Sequence, residues 1–177
     1  MDAAQLLGAE RIIENQNGND QYLTFMLAGE EYGVDILRVQ EIKGWDSATR
    51  IPNTPSYVQG VMNLRGTIVP IIDLRMRFNL GKLEYGPTTV VVVLKVDAQD
   101  KTRTIGVVVD GVSDVYSLNK DGLKPAPDFG NDINTDFVRG LATIGDKMVI
   151  ILDINKLLNT NDMNVLINLS TKEHKVQ

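Results

Sequence analysis

The sequence predicts an all-β protein made of two similar five-stranded β-barrel subdomains packed side by side, with a short helix after the second hairpin of each. Two observations support this fold class. Short apolar runs of strand length recur along the chain between glycines and prolines, which is typical of sandwiches and barrels. The chain also repeats itself, because residues 33–42 return as 106–115 and residues 58–74 return as 138–154. Motifs that recur in one order at offsets of about 75 to 80 residues indicate two small units rather than a solenoid.

The first unit is predicted to hold five strands and one short helix. The strands are expected at residues 22–27, 32–36, 39–45, 58–62 and 67–72. Pro52 and Pro55 mark the connection between the third and fourth strands, because proline cannot donate to a central ladder. The last two strands form a hairpin about the turn 63–66. Asp73 follows this hairpin and is expected to cap a helix over residues 74–78.

The second unit repeats this order. Its strands are expected at residues 90–96, 103–109, 112–116, 138–144 and 147–152. Pro125 and Pro127 stand where the prolines of the first unit stood, and Asp153 is expected to cap a helix over residues 154–158. The sequence therefore predicts matching elements in matching order.

The chain is expected to divide into four parts. The polar run that ends at residue 20 has little to bury, and a last apolar stretch beyond residue 159 lies roughly on one helical face. The predicted parts are a flexible N-terminal tail (1–20), a first β-barrel subdomain (21–88), a second β-barrel subdomain (89–158) and a C-terminal helix or tail (159–177).

Composition excludes several classes of function. The 177 residues contain no cysteine, and the single histidine is His174, so disulfides, thiolate catalysis and histidine-rich metal sites are not expected. A net charge of −5 and scattered cations argue against nucleic-acid binding. No apolar run is long enough to cross a bilayer, and the start does not resemble a secretory signal. We therefore expect a cytoplasmic protein without cofactor or metal, whereas carboxylate acid–base chemistry stays open.

A few polar residues need a choice between structure and function. Asp73 and Asp153 are a matched carboxylate pair, but each follows a strand and begins a helix, which favours capping over acid–base catalysis. Arg65 is different, because the second copy has Thr-Ile-Gly-Asp where the first has Asn-Leu-Arg-Gly. The fold does not require this arginine, so partner recognition and an ordinary exposed turn both remain open. Trp45 fits packing in the core or linker better than a partner anchor.

The ordered motifs resemble the CheW family of bacterial chemotaxis coupling proteins. The similarity is carried by residues 31–42, by Ile-Pro-x-x-Pro at 51–55, by residues 60–74 and by residues 106–115. It runs from about residue 20 to about residue 160, so that 21–158 would form one domain of this family. The resemblance implies the double barrel and a non-catalytic adaptor of the chemotaxis array.

The resemblance also implies partners and a site. Family members join the cytoplasmic tip of methyl-accepting chemoreceptors to the regulatory domain of the histidine kinase CheA, in receptor arrays at the inner membrane. The receptor groove is expected between the barrels, and the kinase surface on the first barrel. Carried over by motif, the partner-binding residues are Val39, Glu41, Ile42, Gly60 and Arg65. No catalytic residue, metal ligand or direct membrane insertion is implied.

Three other functions remain as alternatives. The chain could be a β-barrel module for nucleic acid or a small ligand, although acidity and 6% aromatic residues disfavour stacking on single strands. It could serve a non-flagellar chemosensory system in the same adaptor role. It could also be an enzyme, in which case activity would trace to Asp73 or Asp153.

Overall fold

A computed structural model describes residues 20–81, 84–98, 101–127 and 135–158. Within these residues the chain forms eleven strands, two short α-helices and two 3₁₀ turns. The strands are β1 Asp20–Leu27, β2 Glu30–Asp35, β3 Val39–Gly44, β4 Val58–Leu64, β5 Thr67–Asp73, β6 Val90–Ala98, β7 Lys101–Val109, β8 Gly111–Leu118, β9 Leu123–Lys124, β10 Val138–Ile144 and β11 Lys147–Leu152. The helices are α1 Leu74–Arg77 and α2 Ile154–Leu158, and the 3₁₀ turns are Ile36–Arg38 and Lys120–Gly122. The predicted all-β class is confirmed.

The strands form two sheets with the same plan. The six-stranded sheet has the order β8-β1-β2-β11-β10-β9, and the five-stranded sheet has the order β3-β6-β7-β5-β4. Under the sequence repeat, the first five strands of the larger sheet correspond one by one to those of the smaller sheet. In both, one parallel pair (β2 with β11, or β5 with β7) joins antiparallel strands. The repeat therefore encodes one sheet plan twice.

Each sheet combines strands from both halves of the chain. The hairpin β1–β2 pairs with strands of the second half, and the hairpin β6–β7 pairs with strands of the first half. The pairing crosses the boundary predicted between residues 88 and 89, so neither half contains a whole sheet. The division into subdomains 21–88 and 89–158 stays a prediction, and the tails before residue 20 and beyond residue 158 lie outside the described residues.

Two repeated glycines explain why the hairpins can be exchanged in this way. A Cβ atom on Gly33 would lie 2.7 Å from Ile151 Cδ1, and one on Gly106 would lie 2.6 Å from Ile71 Cδ1. Each glycine belongs to one half, and the isoleucine above it belongs to the other. Because glycine has no side chain, the isoleucine of the neighbouring strand can pack directly over it. The same packing occurs in both sheets, where a strand of one half pairs with a strand of the other.

Both sheets are strongly curved. In the six-stranded sheet, β8 and β9 are the two edges, yet only residues 119–122 connect them. Five residue steps span at most about 18 Å, whereas the edges of a flat six-stranded sheet lie about 24 Å apart. In the other sheet, Thr49 follows edge strand β3 closely and forms a β-bridge to Val61 on the opposite edge strand. The sheets must therefore curl, while closure into barrels stays a prediction.

The apolar side chains of the described residues fill one large cluster and two small ones. The large cluster draws on both sheets and includes fully buried Phe25, Leu94 and Leu157. One small cluster lies on β4, β5, β6 and β7 of the five-stranded sheet and contains Ile71, and the other contains Ile151. The large cluster holds the two sheets together, which fixes the crossing between β2 and β3. Among the described residues, no helix is long and apolar enough to cross a membrane.

Candidate functional site

The predicted site residues Glu41, Ile42 and Arg65 lie together at the surface. Glu41 and Ile42 belong to β3, and Arg65 lies in the turn between β4 and β5, at the other edge of the same sheet. The curl of the sheet brings these edges together, so that Arg65 Nη2 donates a hydrogen bond to Glu41 Oε2. The pair borders a cavity of about 240 Å³. We call the residues that line it the cleft: Glu41, Ile42, Lys43, Asn63, Leu64 and Arg65.

The cleft is locally basic although the whole chain is acidic. The arginine side chain is 79% exposed and the glutamate side chain is 21% exposed. Lys43 is exposed and adds a second cation, so two positive groups and one carboxylate line the cleft. An exposed ion pair contributes about 0–1 kcal/mol to stability. The pair therefore does little for the fold, whereas it orients the guanidinium over the cleft.

A β-bulge in β3 brings Glu41 to the surface. Strict alternation would put Val39 and Glu41 on the same face of the strand. The register between β3 and β6 shifts between these two residues, so Gln40 is the inserted residue. As a result Val39 is buried at 2% exposure, while Glu41 reaches the cleft. The sequence alone did not indicate this bulge, which re-aims a side chain in the way that bulges often do.

The hairpin turn is shorter than expected. The sequence predicted a turn over residues 63–66, but Asn63 and Leu64 pair with β5 and belong to β4, so this boundary was wrong. The turn consists of Arg65 and Gly66, whose φ angles are 54° and 90°. Positive φ at both central residues is the pattern of a type I′ turn, which matches the twist of a hairpin.

Arg65 strains the backbone of this turn. A non-glycine residue in the left-handed region costs about 1–2 kcal/mol. In the second hairpin the matching residue is Gly145, which has φ 63°. One copy thus uses the residue that suits the conformation, and the other keeps an arginine in spite of the strain. This contrast favours recognition over an ordinary turn residue.

Val39 and Gly60 do not reach the cleft. Val39 packs in the large apolar cluster. Gly60 has φ 129°, and a Cβ atom there would lie 2.0 Å from the carbonyl oxygen of Thr49. This close approach allows Thr49 to bridge to Val61, next to Gly60 in β4. Of the five predicted residues, three meet at the surface and two support the strands that carry them.

A second cavity, of about 320 Å³, lies where the chain crosses from β2 in one sheet to β3 in the other; the resemblance implied a groove between the barrels, but none of the residues that line this cavity was predicted as a binding residue. It is lined by Asp35, Arg38, Arg139, Leu152, Asp153, Ile154 and Asn155. Arg38 Nη1 donates to Asp97 Oδ2 at 2.8 Å, and this hydrogen bond is the main reason that the pKa of Asp97 lies below its usual value. Leu37, which precedes Arg38 in the chain, does not line the cavity and is 68% exposed. We call the cavity and Leu37 together the crossing groove.

The two matched aspartates cap helices, as predicted. Asp73 Oδ1 accepts hydrogen bonds from Arg75 N at 2.9 Å and Met76 N at 3.2 Å, and Asp153 Oδ1 accepts from Lys156 N at 3.1 Å. Asp73 is also buried and accepts from the hydroxyl of Tyr85 through its other oxygen. These contacts account for both carboxylates as structural groups.

Trp45 packs within the protein, as the sequence favoured. Its ring centroid lies 4.6 Å from that of Tyr85, and it contacts the small apolar cluster of the five-stranded sheet. Burial is the largest cause that raises the pKa of Tyr85, and the hydrogen bond to Asp73 is the next. Within the described residues, no group of three His, Cys, Asp or Glu could hold a metal ion.

Comparisons with a family model, with known sequences and with a solved structure indicate the same family. The family model for the CheW-like domain matches residues 21–162. The chain is 48% identical to the chemotaxis protein CheW of Klebsiella aerogenes, over 87% of this chain and 90% of that protein. It is 34% identical to CheW of Rhizobium meliloti, over 82% and 92% of the two chains. The crystal structure of the scaffolding protein TtCheW from Thermoanaerobacter tengcongensis matches with a TM-score of 0.72 and 34% identity, and covers 84% of this chain and 93% of that chain.

Proposed function

Because this chain belongs to the CheW family, it is a coupling adaptor of chemotaxis, and we propose that it joins the regulatory domain of the histidine kinase CheA to the cytoplasmic tip of chemoreceptors. In this proposal the protein works by binding alone, without catalysis, in receptor arrays on the cytoplasmic side of the inner membrane. It holds receptor and kinase in one assembly, and no chemical change in the adaptor is needed.

The observation that best supports the proposal is the exposed position of Arg65 in a strained turn. Its side chain is 79% exposed, its backbone is strained, and the second copy of the hairpin has glycine instead. An arginine that is kept against the preference of its own turn and adds little to stability fits partner recognition. Its planar fork of donors can bind a carboxylate or backbone carbonyl of a partner with defined geometry.

We assign the cleft to the kinase's regulatory domain. Arg65 and Glu41 offer both charges side by side, and Ile42 and Leu64 are partly buried apolar residues beside them. An interface of this kind combines an apolar centre with charged groups that set register and association rate. Val39 and Gly60 are assigned a supporting role, because they hold β3 and β4 in place behind the cleft.

We assign the crossing groove to the receptor tip. Leu37 is one of the two large apolar residues that the described part of the chain exposes most. It lies next to Arg38 in the 3₁₀ turn that connects the two sheets. A helical receptor segment could bury Leu37 and contact the polar lining around Arg139, which pairs with Asp35 only at 3.9 Å. What supports this assignment is that the exposed Leu37 adjoins Arg38, which lines the polar cavity.

We also infer that each curved sheet closes into a barrel. The support is the short connection between β8 and β9 and the matching bridge from Thr49 to Val61. Both bring opposite edges of a sheet close together. Closure would remove exposed edges that otherwise pair with other chains.

Separate titrations test the two assignments. The full chain is titrated with CheA's regulatory domain and with the receptor tip, using Arg65→Ala, Leu37→Ser and, as a control, Lys101→Ala, which removes an exposed cation from another hairpin. We expect Arg65→Ala to weaken only kinase binding and Leu37→Ser to weaken only receptor binding, each by about tenfold or more. The control should bind both partners like the wild type. Failure of the wild-type chain to bind either partner at micromolar concentration would overturn the proposal.

A further inference from the structure

The side chain of Asn63 spans the turn that carries Arg65. Its Oδ1 accepts a hydrogen bond from the backbone N–H of Gly66 at 2.7 Å. Leu64 and Thr67 form the last pair of the hairpin, so Arg65 and Gly66 are the two residues of the turn. Asparagine side chains stabilise turns in this way because they imitate a backbone carbonyl. The bond therefore ties Asn63 to Gly66, the two residues that enclose Leu64 and Arg65.

The positive φ of Arg65 requires such stabilisation. Type I′ turns favour asparagine, aspartate or glycine at their first central position, where φ is positive. Arginine has none of these advantages, yet its φ is 54°. The ion pair with Glu41 is exposed at the arginine end and too weak by itself to hold a strained backbone. The hydrogen bond that the Gly66 N–H donates to Asn63 Oδ1 acts on the backbone directly.

The second hairpin differs at both positions. Thr143 replaces Asn63, and Gly145 replaces Arg65. Gly145 reaches φ 63° without strain, since it has no Cβ atom. The asparagine thus occurs in the copy that places an arginine in the left-handed region, and the threonine occurs in the copy that does not.

We propose that Asn63 is a positioning residue for partner binding, which holds the turn so that the guanidinium of Arg65 lies over the cleft and Glu41. Without the bond, Arg65 relaxes to right-handed backbone and its side chain leaves the cleft. The inference rests on the proposed function, in which Arg65 contacts CheA's regulatory domain. It concerns presentation of the arginine and not the folding of the sheet.

A double-mutant cycle tests the inference. CheA's regulatory domain is titrated into the wild type, Asn63→Ala, Arg65→Ala and the double variant. We expect Asn63→Ala to weaken binding about fivefold to tenfold, the effect of one hydrogen bond, and to have no effect once Arg65 is absent. Asn63→Asp keeps the acceptor oxygen and should bind within about threefold of the wild type. Thr143→Ala, the matched change in the second hairpin, should leave binding unchanged.

A measurement without the partner separates this inference from the proposed function. Amide hydrogen exchange of Gly66 in the free protein should accelerate in Asn63→Ala and stay slow in Asn63→Asp. If Arg65→Ala weakens binding but Asn63→Ala does not, or if the two effects simply add, the positioning role is refuted while the function stands. If Arg65→Ala has no effect on binding, the proposed use of the cleft fails and this inference fails with it.

Discussion

Substituting Gly60 with alanine tests the account of how β4 is held beneath the cleft. The added Cβ atom would lie 2.0 Å from the carbonyl oxygen of Thr49 and 2.5 Å from its carbonyl carbon. Both are backbone atoms, so no side chain can rotate away. The segment around Thr49 must therefore move away from β4.

The cost of Gly60→Ala can be worked out from the contacts that this movement breaks. Two backbone hydrogen bonds join Thr49 and Val61, at 2.9 and 2.8 Å. Their loss costs about 1–3 kcal/mol in total. Alanine at φ 129° adds about 1–3 kcal/mol of backbone strain. We expect the free energy of unfolding to fall by about 2–6 kcal/mol, which corresponds to a decrease of about 4–24 °C in Tm.

Two further glycines serve as controls in the same denaturant titration. At Gly140 the added atom would lie 2.7 Å from the carbonyl oxygen of Lys124, with no positive φ, so the loss should be smaller, about 1–3 kcal/mol. At Gly44 it would meet open space, and the change should stay within about 0.5 kcal/mol. If Gly60→Ala unfolds at the same denaturant concentration as Gly44→Ala, the close contact between Gly60 and Thr49 does not stabilise the protein.

Substitutions in the Arg65 turn, at the two helix caps and at Tyr85 test other contacts of the molecule. Arg65→Gly should be more stable than Arg65→Ala by about 1 kcal/mol, since only glycine adopts the positive φ freely, while both lose kinase binding equally; equal unfolding midpoints would contradict the strain. Asp73→Ala should destabilise by about 2–4 kcal/mol, because it loses two amide caps and leaves the Tyr85 hydroxyl unpaired, whereas Asp153→Ala should cost about 1 kcal/mol in the same titration. Burial raises the pKa of Tyr85, so its contribution to stability is complete below its usual pKa of 10.0 and is lost as the pH rises above it. Unfolding midpoints between about pH 8 and about pH 11 should fall less steeply in Tyr85→Phe; an unchanged slope would contradict this.

The sequence predicted the elements well because local patterns determine them. Apolar runs placed the ten longer strands, and Asp73 and Asp153 marked the starts of both helices. Pairing between strands was not predictable in the same way. Periodicity indicates which face of a strand is buried, but it does not indicate which strand lies beside it. The contact of Gly33 with Ile151 joins residues from opposite halves of the chain, and only the folded chain reveals it.

The cleft was predicted in part. Arg65 stood out because the second copy lacks it, and Glu41 was carried over with the family motif. The bulge at Gln40 and the short turn depend on pairing register, which strand patterns near a hairpin do not fix to one residue. The resemblance implied a groove between the barrels, but the residues that line the crossing groove were not predicted, because Arg38 and Arg139 are far apart in sequence and come to one cavity only through the exchange of hairpins.

Co-capture measures directly whether this protein joins kinase to receptor. The receptor tip is immobilised, and retention of CheA is measured with no adaptor, with the wild-type chain, and with Arg65→Ala or Lys101→Ala. We expect CheA to be retained only when the adaptor is present. Arg65→Ala should reduce retention while the adaptor itself stays bound to the receptor, and Lys101→Ala should behave like the wild type. Retention of CheA that is the same with and without the adaptor would contradict the proposed function.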